Sequence, residues 1–78
     1  MVIVRYFAAA RAAAGVAEEA LEVSDLEALR KELAARSDRL ARVLDVASFL
    51  VDGLAWRDLH APLPGGCTVD ILPPFAGG

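Results

Sequence analysis

From Val2 to Phe7 the residues alternate, so that in an extended strand Val2, Val4 and Tyr6 share one face while Ile3, Arg5 and Phe7 share the other. The Ala-rich stretch that follows to Gly15 is competent to form helix, but propensity alone does not decide, and we read it as a loop. Glu18 to Val23 alternates again, with Leu21 and Val23 inward and Ala20 and Glu22 outward, which predicts a hairpin with a long connection. Ser24-Asp25-Leu26-Glu27 has the spacing of a capping box, in which the Ser24 hydroxyl accepts from the Glu27 amide and the Glu27 carboxylate from the Ser24 amide. A helix is expected to begin there. Leu26, Leu29 and Leu33 recur on one stripe of it, and Glu27/Lys31 and Glu32/Arg36 stand one helical turn apart. Ser37-Asp38 marks a second start, after which Leu40, Val43 and Leu44 predict a brief helix ending near Asp45.

Phe49-Leu50-Val51 and Leu54-Ala55-Trp56 flank Asp52-Gly53, a dipeptide that tolerates the positive φ values of a type I′ turn, so a second hairpin is expected. Pro62, Pro64, Gly65 and Gly66 make a breaker-rich loop. Thr68 to Leu72 then alternates with Val69 and Ile71 on one side, and Pro73-Pro74 ends that last strand because proline lacks the amide a ladder needs. The order is strand, strand, helix, brief helix and three more strands. This predicts an α+β fold in two layers, a sheet of about five strands with one main helix on one face. If that helix covers Val2, Val4 and Tyr6, the opposite face carries Ile3, Arg5 and Phe7, joined by Leu72 when the first and last strands are neighbours. An uncovered face of this kind is a candidate docking surface, against the plainer reading that these are scattered exposed apolar residues.

Length and charge narrow the function. A chain of 78 residues fits one small domain, and a domain of about this size buries only about 60% of its unfolded surface, leaving little room for an enclosed active site. Hydrophobic residues make up 56% of it, enough to fold. Eight scattered basic residues against eleven acidic ones offer no positive stripe for phosphates, so no nucleic-acid partner is expected. A secretory pattern and an apolar run of about 18 residues are both lacking, which suggests a cytoplasmic protein without a membrane partner. Cys67 is the sole thiol and His60 the sole imidazole, in different loops. We read them as a structural or half-exposed thiol and a solvated loop residue, with no catalytic set of their own and no metal site.

The terminal string is the unusual feature. A chain ends on Gly-Gly by chance only about once in 200. A frayed end is the bland explanation, but the context argues otherwise: Pro73-Pro74 stiffens the exit, Phe75 offers an apolar anchor, and Gly77 and Gly78 leave the last carbonyl unhindered. Fully extended, the stretch from Pro73 reaches roughly 20 Å, enough to enter another protein's tunnel. Ordering it costs on the order of 6 to 12 kcal/mol, and burying Phe75 returns only about 1.5 to 3 kcal/mol, so surface and tail are expected to act together. We divide the chain into a domain over residues 1–74 and a flexible tail over 75–78.

Three stretches, Val-Arg-Tyr-Phe-Ala-x-x-Arg at 4–11, Leu-Glu-Ala-Leu-Arg at 26–30 and Ile-Leu-Pro-Pro-Phe-Ala-Gly-Gly at 71–78, resemble the ubiquitin-like β-grasp carriers. More narrowly they resemble the MoaD-type sulfur-carrier subunits of molybdopterin synthase. The resemblance spans the chain and implies a β-grasp fold and a non-catalytic carrier with no active site or bound cofactor of its own. It implies that a ubiquitin-activating-type adenylating enzyme uses ATP to convert the Gly78 carboxylate to an acyl-adenylate. A sulfur donor, a cysteine desulfurase or rhodanese-like protein, then yields a thiocarboxylate. The large catalytic subunit uses this group to sulfurate a cyclic pterin monophosphate precursor. By position, Gly78 is the acylated residue, Gly77, Ala76 and Phe75 belong to the tunnel, and Phe7, Arg11, Ile3 and Leu72 to partner docking. Family members can carry an aromatic where Leu72 stands and a larger apolar group where Ala55 stands, which implies a shallower interface here. Other readings are a sulfur carrier for thiamine, sulfur amino acid or tRNA thiolation, a ubiquitin-like modifier, and an interaction module with an inert tail.

Overall fold

The computed structural model describes residues 1–74. The tail assigned to 75–78 lies outside the described residues. In chain order the elements are β1 (Val2–Tyr6), α1 (Ala9–Ala14), β2 (Glu18–Leu21), α2 (Leu26–Ala34), α3 (Asp38–Val46), β3 (Ser48–Val51), β4 (Leu54–Ala55) and β5 (Thr68–Leu72). They build one five-stranded sheet in the order β2-β1-β5-β3-β4, with α2 and α3 against one face.

The pairing follows from the loops. Strands β1 and β2 run antiparallel, Val2 opposite Leu21, as the hairpin pattern predicts. Strand β5 lies parallel to β1, Val4 opposite Val69, a pairing that needs a long crossover and finds it in everything between β2 and β5. On its other side β5 pairs antiparallel with β3, Phe49 opposite Ile71. Asp52 (φ 49) and Gly53 (φ 84) make the expected positive-φ turn between β3 and β4. The turn is tied to β5: Asp52 donates its amide to the Thr68 carbonyl at 2.8 Å, and its carboxylate accepts from the Thr68 amide at 2.9 Å.

The core lies between sheet and helices. Leu26, Leu29 and Leu33 of α2 and Leu40 and Leu44 of α3 bury against Val2, Val4, Tyr6, Phe49, Val51, Val69 and Ile71. Each such side chain taken out of water contributes about 1.5 to 3 kcal/mol. The second helix expected after Ser37-Asp38 is present as α3, but it matches α2 in length rather than being brief, and the two together roof the sheet.

Two local readings are corrected. Ala9–Ala14 is a helix, not a loop. Its alanines alone are neutral on the point; what decides is Ala10, fully buried in the core, and Gly15, whose φ of 80 lets its amide close the helix on the Arg11 carbonyl. The cap of α2 is Asp25, not Ser24: the Asp25 carboxylate accepts from the Ala28 amide at 2.7 Å. The Glu27 amide that a capping box would use donates instead to the Leu59 carbonyl at 3.0 Å, while the Ser24 carbonyl accepts from Leu63. The 57–67 loop thus claims the groups of the predicted cap. Asp25→Ala is expected to lower stability by about 1 kcal/mol, and Ser24→Ala by no more than a few tenths, in urea denaturation.

Candidate functional site

Strand alternation and register assemble the outer face of the sheet. Because Val4 and Val69 point into the core, their neighbours Ile3, Arg5, Thr68 and Asp70 point away from it, and Leu50 lies opposite Asp70 on β3. Phe7 continues the β1 face just past the strand, its amide donating to the Ile71 carbonyl at 3.3 Å beside Leu72. Ile3, Phe7 and Leu72, the sheet residues expected to dock a partner, therefore share one surface. Phe7 is 37% exposed, and Ile3, Leu50 and Leu72 are half-buried. Ala55 pairs with Leu50 on this face. Arg11 stands on α1, exposed, past the end of β1 rather than on the sheet.

An ion pair sits in the middle of this apolar face. The Arg5 guanidinium donates from Nε to Asp70 Oδ1 at 2.6 Å and from Nη2 to Oδ2 at 2.8 Å, a two-pronged geometry that fixes both side chains. Asp70 is only 7% exposed, so its charge requires that partner. The hydrogen bond and the carboxylate charge raise the Arg5 pKa and keep it cationic. Its guanidinium also lies 5.6 Å from the centre of the Phe7 ring. Sequence reasoning placed Arg5 on this face but missed Asp70 as its partner, because the two are 65 positions apart. Leu50 was missed as well, although its alternation with Phe49 and Val51 carries the signal.

The chain leaves this face at Pro73-Pro74. Strands β1 and β5 are parallel, so their C-terminal ends lie together and the exit adjoins Phe7 and Leu72. Pro73 is buried and Pro74 exposed. The tail candidates Phe75, Ala76, Gly77 and Gly78 fall outside the described residues.

The other reactive groups are placed apart from this face. Cys67 is buried, and burial first, then the nearby Asp52 charge, raises its thiol pKa, the opposite of an activated nucleophile. His60 is exposed in a turn whose amide is held by Asp58. On the helix side, Tyr6 donates its hydroxyl to Glu19 at 2.8 Å, and Arg36 pairs with the same carboxylate at 2.8 Å. Arg36 thus turns to Glu19 rather than to the expected Glu32. The Arg36 hydrogen bond holds the Glu19 pKa low, and burial holds that of Tyr6 high. This network ties β1, β2 and the end of α2, a structural role. Among the described residues no cluster of three His, Cys, Asp or Glu could hold a metal, and no helix is long and apolar enough to cross a membrane.

The outer face of the sheet thus has the diproline exit at its edge. The model of the ThiS family matches residues 4–78. The chain belongs to the ThiS family. It is thus a β-grasp sulfur carrier of the ThiS/MoaD type. Among solved structures it is similar to a chain of the complex of subunits 1 and 2 of the molybdopterin-converting factor from Helicobacter pylori, at 27% identity and a TM-score of 0.76, covering 99% of this chain and 97% of that one. It is similar also to the putative molybdopterin converting factor subunit 1 of Pyrococcus furiosus, at 27% identity and a TM-score of 0.80, covering 94% and 95%. SAMP1 of Haloferax volcanii, at 22% identity and a TM-score of 0.79 over 99% and 98% of the two chains, shares the β-grasp fold. No protein of curated function matches the chain in sequence.

Proposed function

We propose that this ThiS-family chain is the sulfur-carrier subunit of a molybdopterin synthase. The observation that supports this most is its likeness, over nearly the whole of both chains, to a chain from a complex of subunits 1 and 2 of a molybdopterin-converting factor. The partner in this reading is a large catalytic subunit, docked on the face of Ile3, Phe7, Leu50 and Leu72 around the Arg5–Asp70 pair, with Arg11 at its margin. Phe75, Ala76 and Gly77 lead Gly78 into that partner's active site.

The chemistry follows from the weakness of a carboxylate as an electrophile. The Gly78 carboxylate attacks the α-phosphorus of ATP on a ubiquitin-activating-type enzyme, and pyrophosphate leaves. The terminal sulfur of a persulfide carried by a cysteine desulfurase or a rhodanese-like protein attacks the acyl carbon and expels AMP. A thiol then reduces the acyl disulfide, leaving a thiocarboxylate and a protein disulfide; free hydrosulfide gives the thiocarboxylate directly. The large subunit then transfers that sulfur to a cyclic pterin monophosphate precursor, and the carrier returns as the carboxylate after water supplies its oxygen. The chain contributes an acyl group and its delivery, while acid-base groups belong to the partners. The cycle is assigned to the cytoplasm.

Intact-mass analysis tests the reading. After incubation with the adenylating enzyme, ATP and sulfide, the chain should exchange one oxygen for one sulfur. Added large subunit and pterin precursor should then return it to its starting mass. A chain that stays unmodified while a control carrier reacts would overturn the carrier chemistry. A loaded chain that the large subunit fails to discharge would overturn only the assignment to molybdopterin synthesis.

A further inference from the structure

On the helix side of the sheet, between one stripe of α3, the start of α1 and Pro73-Pro74, lies an open groove of about 290 Å³. We propose that it is the resting seat of the chain's own last four residues, with Phe75 against Val43 and Val46 and the Gly78 carboxylate beside Arg42 and Arg39. This goes beyond the carrier reading and does not depend on it.

The order of groups along the groove matches their order along the tail. Arg39, Arg42, Val43 and Val46 all line it and stand at i, i+3, i+4 and i+7, one stripe of α3 about 10 Å long. Helix α3 ends at Val46, and Ser48, two residues on, pairs with Leu72, so the chain leaves β5 beside the Val46 end of that stripe. From the exit onward the stripe reads apolar and then basic: Val46, Val43 with Arg42, and last Arg39. The tail reads Phe75, Ala76, Gly77 and last the carboxylate of Gly78. Four extended residues reach about 13 to 14 Å, enough to bring that carboxylate to the arginines.

Both halves of the stripe are open to an occupant. Val46 is 62% exposed and Val43 half-buried. Arg39 and Arg42 are exposed, and neither forms an ion pair with another described residue, whereas Arg5, Arg30, Lys31 and Arg36 each do. The groove falls just below the range of roughly 300 to 1,000 Å³ typical of small-molecule pockets, a size that suits the side chain of a short peptide. Tethering selects which peptide. A tail that starts at the rim of the groove is present there at an effective concentration on the order of millimolar, above that of a free segment of the same composition. Once docked, Gly78 lies on the helix side of the sheet, turned from the outer face, and a protein that uses the tail must first draw it off.

Nuclear magnetic resonance of the full chain tests this with no adenylating enzyme or sulfur donor present, so its outcome is separate from that of the loading experiment. Nuclear Overhauser peaks are expected from the Phe75 ring to the Val43 and Val46 methyls, with intensities independent of protein concentration. Converting the Gly78 carboxylate to its amide should weaken docking about threefold, read as lost peak intensity. The double change Arg39→Gln with Arg42→Gln, at two exposed positions, should do the same. The amide comparison keeps every residue and stands even where the double variant folds poorly. Absence of the Phe75 peaks, intensities unchanged on amidation, or peaks that grow with protein concentration, the mark of a second copy's tail in the groove, would each overturn the proposal.

Discussion

Leu29→Ala is expected to lose about 2 to 5 kcal/mol of folding stability. For a chain of 78 residues the whole stability is on the order of 4 to 12 kcal/mol, so this single truncation removes a large share of it. Leu29 is fully buried at the middle of α2, between Leu26 and Leu33 in the common core, and Ala would leave a void that the surrounding elements cannot close without giving up their own contacts. Phe7→Ala is the control. The residue is 37% exposed, with Arg5 5.6 Å from its ring centre, so its loss should cost clearly less than that of Leu29, about 1 to 2 kcal/mol, while removing much of the apolar area of the outer face. Urea denaturation of both variants, with slopes like that of the native chain, measures the difference. Equal midpoints would mean that the core is not where the burial pattern puts it.

That separation of a buried face from an outer face was legible in the amino-acid pattern because both are written at period two on one strand. Val2, Val4 and Tyr6 alternate with Ile3, Arg5 and Phe7, and the observed burial follows that alternation. The leucine stripe of α2 and the Asp52-Gly53 turn are local signals of the same sort, carried by residues close in sequence.

What was not legible is set by residues distant in sequence. A run of alanines has no preference strong enough to announce α1; the seat for Ala10 in a core built by other elements supplies it. Ser24 has the right chemistry for a cap, but the 57–67 loop takes the Glu27 amide and the Ser24 carbonyl, and the cap moves to Asp25. Asp70, in an alternating strand, reads as an ordinary outward acid, and only the parallel pairing of β1 with β5 shows it to be buried beneath Arg5. Buried polar pairs and shared cavities are properties of the assembled chain, whereas strand faces and helix stripes are properties of its segments.

The largest functional effect is expected from a change that leaves the domain untouched. One alanine appended after Gly78, or deletion of Gly78, should reduce the exchange of oxygen for sulfur on the adenylating enzyme at least a hundredfold, with the urea midpoint unchanged within about 0.5 kcal/mol. The buried core residues and the Arg5–Asp70 pair all precede Pro74, so neither change replaces any of them. Each moves the terminal carbonyl by about 3.3 to 3.6 Å along an extended tail, where a misplacement of roughly 1 Å already costs about a hundredfold in rate. The appended residue also puts a Cβ beside the carboxylate whose oxygen must take the adenylyl group and whose carbon must then take sulfur, where glycine has none. If the outer sheet face docks as proposed, docking should survive, because neither change alters Ile3, Phe7 or Leu72. The extended chain should therefore compete with the native one for the adenylating enzyme while failing to be loaded. An extended chain that retains its extra residue by intact mass and still gains sulfur at the native rate would show that the reacting acyl group is not the Gly78 carboxylate.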